Sequence, residues 1–361
     1  MVSLFDPLSF AHGPAMPNRF MLAPLTNLQS HPDGTLSDDE FQWLAMRAQG
    51  GFGLTMTCAA YVQVSGQAFP GQLGVSSDDH LPGLTRLAAA LNDTGTVSYM
   101  QLHHGGDKAR VDLTGHDLLS ASDSATSGAR ALTPSEVEQV ISDFVAAAVR
   151  AQRAGFRGVE LHGAHGYLIG QFLSAESNQR TDGYGGSLAG RSRLLFEIVE
   201  GVRAACGPDL ALAVRLSPER FGMDTAEAIE IFGRLVDSGQ VDMIDMSMWV
   251  VDKEPEDDRY KGRSITELFA SLPRGDVRLA VAGRIHTPAD AQRVLDVGVD
   301  AVALGRVAIL HHDYPKLLAA DPAWAPRSLP VERAVLATEG VSEAFADYLT
   351  NGFRGFVATE S

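Results

Sequence analysis

The chain is 361 residues long, with 45% apolar and 20% charged side chains, the composition of a folded protein and not of a disordered one. Lys and Arg total 29 against 45 Asp and Glu, a formal charge of -16, and so acidic a surface argues against nucleic acid or an anionic membrane as partner. Cys58 and Cys206 cannot build a disulfide scaffold, an iron–sulfur cluster or a Cys-based zinc site by themselves. No run reaches the roughly 18 apolar residues of a membrane-spanning helix, and residues 1–15 lack the basic flank and long apolar core of a secretory leader. A cytoplasmic α/β protein is the expectation that remains.

In chain order, short apolar runs recur at residues 20–25, 53–58, 97–102, 158–161, 211–216, 243–246, 279–282 and 301–304, each bounded by polar or glycine-rich breaks. Near-continuous runs of this kind suit parallel strands buried on both faces. Helical periodicity follows several of them. Residues 38–49 open after a Ser37 cap with acids in the first turn, and 84–91 are compact and Ala-rich. Residues 133–154 begin Thr-Pro-Ser-Glu, which places Pro at the first helical position and Glu136 where it can complete a capping box. Helices are also predicted over 191–205, 225–236 and 287–295, the last starting with the same Thr-Pro signal. Strands alternating with helices predict a single (β/α)8 TIM barrel over residues 1–361, with no linker dividing it. Two irregular stretches, 103–130 and 250–262, are expected to be extended loops at the C-terminal ends of the strands, where barrels carry their active sites.

The spacings of a Rossmann dinucleotide loop, a P-loop, a zincin helix and a serine nucleophile elbow are all absent. The densest cluster of chemistry is Gly158-Val-Glu-Leu-His162-Gly-Ala-His165-Gly-Tyr167. His162 ends a strand, and His165 and Tyr167 follow in the loop. Two imidazoles and a phenol there supply hydrogen-bond donors and a proton source; a buried His pair bonded to carbonyls would give the same pattern. No carboxylate or Cys stands at ligand spacing beside them, so no metal is expected. Gly283-Arg284 ends the seventh strand and Gly305-Arg306 the eighth. Barrels bind phosphate with the loops after those strands, where Gly admits close backbone approach and Arg neutralises the anion. Arg215 lies within an apolar run, where a guanidinium needs an anion or acceptor, supplied either by a ligand or by a neighbouring Asp or Glu. Gln101 interrupts its strand in the same way, and Thr26 follows Ala23-Pro24-Leu25 at the end of the first.

These motifs, in this order, resemble the Old Yellow Enzyme family of FMN-dependent ene reductases. The matching stretches are Asn18-Arg19-Phe20…Ala23-Pro24-Leu25-Thr26, then Gln101-Leu102-x-His104-x-Gly106, then His162-x-x-His165-Gly-Tyr167 running on to Ser187, Arg215-Leu-Ser, Gly283-Arg284 and Gly305-Arg306. They span about residues 4–320, and the stretch from His162 to Ser187 is the specific one. The resemblance implies FMN, bound tightly but not covalently at the barrel mouth, with NADPH or NADH as reductant. By position, Pro24, Leu25, Thr26, Ala59, Gln101 and Arg215 would contact the ring system, with Gln101 on its pyrimidine edge and Arg215 near N1 and C2=O. Gly283, Arg284, Gly305 and Arg306 would hold the phosphate. His162 and His165 would bind a substrate carbonyl, and Tyr167 would donate the proton. The implied reaction is reduction of the C=C bond of α,β-unsaturated carbonyl compounds; an FMN dehydrogenase or a nitro-ester or 2-enoate reductase would use the same site.

Thr26 stands where some bacterial members carry Cys, which changes redox poise and pocket. With two cysteines, the chain is expected to lack the iron–sulfur extension of larger relatives. A lyase or aldolase barrel would need a Schiff-base Lys or a metal cluster at the strand ends, but Lys108, Lys253, Lys261 and Lys316 all fall outside the predicted strands. The expected partner is a small enone-type molecule. Homo-oligomers occur in the family, and Arg327, Arg333 and Arg354 are candidates to reach a neighbouring subunit's site.

Overall fold

The computed structural model describes residues 2–358. Eight parallel strands close into a barrel in sequential order: β1 (Phe20–Leu22), β2 (Leu54–Tyr61), β3 (Val97–His103), β4 (Gly158–Gly163), β5 (Ala211–Leu216), β6 (Met243–Ser247), β7 (Arg278–Ala282) and β8 (Ala301–Leu304). Each pairs with the next, and β1 closes on β8 through Phe20↔Val302 to Leu22↔Leu304. All eight predicted strands are present. Alternation sorts their residues between two separate cores. Outward-facing side chains pack under the helices in one large cluster. Inward-facing Met21, Leu54, Met56, Tyr99, Ala213, Met243, Ala280 and Ala303 fill the barrel axis. Gly158 makes room for the Tyr99 ring there, since a Cβ at that position would stand 2.3 Å from Tyr99 Cε1. Leu8 and Met16, bridged to each other, plug the N-terminal end of the barrel. Gln101, His103, His162, Arg215 and Ser247 all fall at the opposite, C-terminal end.

The helices start where their caps specify. Ser37 accepts from the Glu40 amide ahead of Asp38–Gln49, and Thr133 and Glu136 form a full capping box at Pro134–Ala154. Thr287 and Asp290 do the same at Pro288–Asp296. Two helices are longer than their apolar periodicity suggests. The second runs over Leu81–Asn92, and Leu188–Cys206 begins three residues before the expected start because Ser187 caps it. The stretch 103–130, expected to be irregular, contains a helical turn at Val111–Thr114 and a small parallel ladder pairing Leu119–Ser120 with Arg130–Ala131. Four short helices after residue 305 had no clear sequence signal. No helix among the described residues is long and apolar enough to cross a membrane.

Candidate active site

The C-terminal ends of β1 to β8 gather most of the residues singled out in the sequence. Gln101, His162 and Arg215 are buried side chains at the ends of β3, β4 and β5, and the ladder pairs His162 with Arg215. Pro24, Leu25 and Thr26 are half-buried in the turn after β1, and Ala59 is buried on β2. His165 and Tyr167 are half-buried in the β4 loop. His165 takes a left-handed backbone with φ 61°, a conformation a non-glycine residue adopts only when its surroundings require it.

The ring tautomers follow from their partners. The Ala164 amide donates to His162 Nδ1 at 3.3 Å, which puts the His162 proton on Nε2. That nitrogen lies 3.3 Å from His165 Nδ1, and His165 Nε2 lies 2.8 Å from the Ser247 hydroxyl. Burial drives both imidazoles toward the neutral form, helped by the charges of Arg215 and Lys108, and leaves His165 at about 3 and His162 well below the ordinary histidine range. Both act as neutral donors. Tyr167 packs edge-on against His162, with ring centres 5.0 Å apart, and burial raises its hydroxyl above the ordinary phenol value. It therefore stays protonated at neutral pH.

Several participants gave no sequence signal of their own. His103 ends β3 with its ring 4.3 Å from that of Tyr167; its Nδ1 meets the Gln72 amide at 3.0 Å, and its buried Nε2 has no partner among the described residues. Lys108 donates to the His165 carbonyl at 2.7 Å and lies over the Tyr167 and Phe221 rings. Tyr348, on the distant helix Glu343–Gly352, comes alongside Thr26 and Tyr167. At the rim, exposed Phe221 and Trp249 both have left-handed backbones, and a cleft lined by His165, Ser217, Phe221, Ser247 and Trp249 opens between them. A larger cleft of about 520 Å³, lined by Gln63, Ser76, His116 and Arg130, contains none of the site residues.

At the other side of the mouth Arg284 and Arg306 are exposed, and neither meets a carboxylate among the described residues. Gly283 lies against Val251, which a Cβ would approach to 3.1 Å, and Gly305 lies against Leu25. Arg327 and Arg333 are engaged within their own chain, the first by Glu339 and the second by Glu343 and Asp347. Among the described residues no group of three or more His, Cys, Asp or Glu could hold a metal ion.

Residues 3–321 match the family model described as NADH:flavin oxidoreductase / NADH oxidase family. The chain belongs to that family. It is 35% identical to the probable NADH-dependent flavin oxidoreductase YqiG of Bacillus subtilis, over 89% of this chain and 86% of that one. It is 33% identical to an NADPH dehydrogenase of Bacillus pumilus, over 88% of this chain and 94% of the relative. The Old Yellow Enzyme homologue of Zymomonas mobilis superposes with a TM-score of 0.80 at 28% identity, covering 96% of this chain and 99% of its own. The chain is thus an FMN-dependent NAD(P)H oxidoreductase of the Old Yellow Enzyme family, with that family's (β/α)8 barrel.

The residues at the mouth fit FMN. The Arg215 side chain makes no hydrogen bond to the described residues, although its buried Nε lies 3.2 Å from Asp245 Oδ2. Gln101 gives its amide nitrogen to Glu160 and keeps its carbonyl oxygen free. Arg284 and Arg306 are two cations with no carboxylate among the described residues, beside Gly283 and Gly305, and Arg306 lies over the Phe353 ring. A planar ring whose edge carries both acceptors and an N–H donor, with a phosphate tail, would satisfy all of these at once.

Proposed function

We propose that this protein reduces the activated C=C bond of α,β-unsaturated carbonyl compounds, with His162 and His165 holding the carbonyl oxygen and Tyr167 protonating the α-carbon. The observation that carries this reading is the convergence of two neutral imidazoles and one protonated phenol beside the free edge of Arg215 and Gln101. FMN, when bound, would supply the hydride chemistry that links NAD(P)H to the β-carbon. The protein's own residues do the rest. His162 and its neighbour place donors where negative charge develops on the oxygen, and they need no proton transfer to do so. Arg215 would supply a fixed positive charge at the edge of the ring where negative charge develops on reduction. Tyr167 delivers its proton and recovers it from solvent at the open rim. Positioning of the two reacting carbons accounts for much of the remaining acceleration.

Pro24, Leu25, Thr26 and Ala59 form the wall against the ring, and Gly283, Arg284, Gly305 and Arg306 take the phosphate. Loss of either guanidinium removes a charge-assisted contact worth about 1.5–3 kcal/mol, or roughly 10- to 100-fold in affinity. Arg284→Ala and Arg306→Ala should each weaken FMN by that factor and leave riboflavin binding as it was, as read by fluorescence titration. Equal losses for both ligands would remove the two arginines from the phosphate site.

The pH behaviour is fixed by the histidines. With His165 and His103 at about 3 and His104 at about 4, burial keeps all three neutral from pH 5 upward. The single-turnover rate of alkene reduction should therefore show no histidine inflection between pH 5.5 and 8. A break near pH 6.5 would mean that an imidazolium takes part.

The activity is tested by steady-state turnover with NADPH and with NADH against cyclic enones, maleimides, nitroalkenes, nitrate esters and 2-enoates. The proposal expects enones and maleimides to be reduced at their double bond. Turnover of nitrate esters or free 2-enoates alone would replace it with one of the other reductase activities.

A further inference from the structure

Four polar side chains form one buried cluster across the barrel axis just below the mouth. Gln101, Glu160, Arg215 and Asp245 come from the consecutive strands β3 to β6, and none is more than 5% exposed. Gln101 pairs with Glu160 in the ladder, and Arg215 pairs with Asp245. Gln101 Nε2 donates to Glu160 Oε1 at 2.7 Å, and Arg215 Nε lies 3.2 Å from Asp245 Oδ2. Beyond these contacts Glu160 Oε2, both Asp245 oxygens and Arg215 Nε have no hydrogen-bond partner among the described residues. Two carboxyl groups thus face one guanidinium in a water-poor interior.

Such a cluster cannot carry both negative charges cheaply. Asp245 stands directly beside the cation, whereas the only hydrogen bond of Glu160 among the described residues comes from an amide, so Glu160 is the group that holds the proton. Burial pushes its carboxyl up to about 8, with the charge of Asp245 adding to the push and Arg215 opposing it. The other ionisable groups facing it are Tyr99 on β3, forced well above the phenol range, and His162 on its own strand, held neutral. Neither of these changes charge between pH 6 and 10.

We propose that Glu160 is a positioning and charge-balancing residue for the flavin: its carboxyl orients the Gln101 amide, and it takes up a proton from solvent when the ring above becomes negatively charged on two-electron reduction. The inference rests on the placement of the ring's pyrimidine edge against Gln101 and Arg215. Glu160 engages one of the two amide hydrogens of Gln101, which leaves the other hydrogen and the carbonyl oxygen for that edge. Hydride from NAD(P)H brings two electrons and one proton to the ring and leaves one negative charge on it. A proton from water then converts the Glu160 carboxylate to its acid, and the net charge of the buried assembly is unchanged. Below the pH at which Glu160 ionises it is protonated in both redox states and contributes nothing. Above that pH, reduction binds one extra proton, so the potential falls more steeply as pH rises.

The test is the midpoint potential of the holoenzyme from pH 6 to 10, in the parent, in Glu160→Gln and in Gln101→Leu, together with FMN affinity. Glu160→Gln keeps an acceptor for Gln101 but cannot titrate. Its potential should run parallel to the parent's up to about pH 8 and diverge above, by about 30 mV for each tenfold fall in proton activity, the value of one proton per two electrons. Its FMN affinity should match the parent's. Glu160→Leu, which removes the acceptor, should weaken FMN about tenfold. Parallel potentials over the whole range would overturn the inference, provided Gln101→Leu still weakens FMN. If Gln101→Leu changes neither affinity nor potential, the ring does not lie where the inference requires, and the placement fails with it.

Discussion

A His162→Ala variant is expected to reduce its enone substrate about 10²–10³-fold more slowly than the parent, the usual cost of removing one donor from a developing oxyanion. The size of the effect follows from how firmly this donor is set. The Ala164 amide fixes the tautomer, burial fixes the neutral state, and the partner imidazole stands 3.3 Å away. Reduction of the flavin by NAD(P)H should change far less, because no oxyanion forms in that half-reaction. His162→Asn, which restores an N–H donor, should recover part of the loss. Stopped-flow measurement of the two half-reactions separates these outcomes. Equal slowing of both would assign His162 to the architecture of the site and not to its chemistry.

Tyr167→Phe carries the second large expectation. Phe keeps the edge-on packing against His162 and His103, and so preserves the local structure. What it removes is a phenol that burial and the nearby Tyr348 hold protonated. Alkene reduction should slow by about 10²–10⁴, the range for loss of a general acid, while flavin reduction remains near the parental rate. The hydride-transfer step alone should survive for substrates whose reduced product is a stable anion, since these need no proton. Nitroalkenes fit that description, and a smaller defect with them than with enones is the distinguishing sign. Equal losses in both half-reactions would count against the proton-donor role.

The barrel was legible because its strands are buried on both faces and therefore appear as unbroken apolar runs. Those runs are bounded by helix caps such as Thr133 with Glu136 and Thr287 with Asp290, whose hydrogen bonds are local in sequence. His162, His165 and Tyr167 were legible for the same reason, as one strand and its loop hold all three. The setting of Arg215 marks it in the sequence, but its carboxylate partner carries no such mark, because Asp245 lies on the next strand and only the ladder register brings the two together. Glu160 stood in plain view two residues before His162, on the same face of β4. The period of two along a strand puts it on the face of His162, where a charged residue facing a barrel axis needs a partner. Tyr348 had no such signal, because more than 300 residues separate it from Thr26, and only the packing of the C-terminal helix brings them side by side. The short helices beyond residue 305 are held by tertiary contacts such as Trp43 against Phe345, and their own periodicity is too brief to read.

The proposed activity is passage of hydride from FMN at the mouth of this barrel to an activated double bond. A single anaerobic turnover decides it, in which FMN-loaded protein is bleached with one equivalent of NADPH and then mixed with 2-cyclohexenone. The flavin absorbance should return fully, and one cyclohexanone should appear for each flavin reoxidised. Flavin that stays bleached in the presence of excess enone, or regains its colour without formation of the saturated ketone, would contradict it.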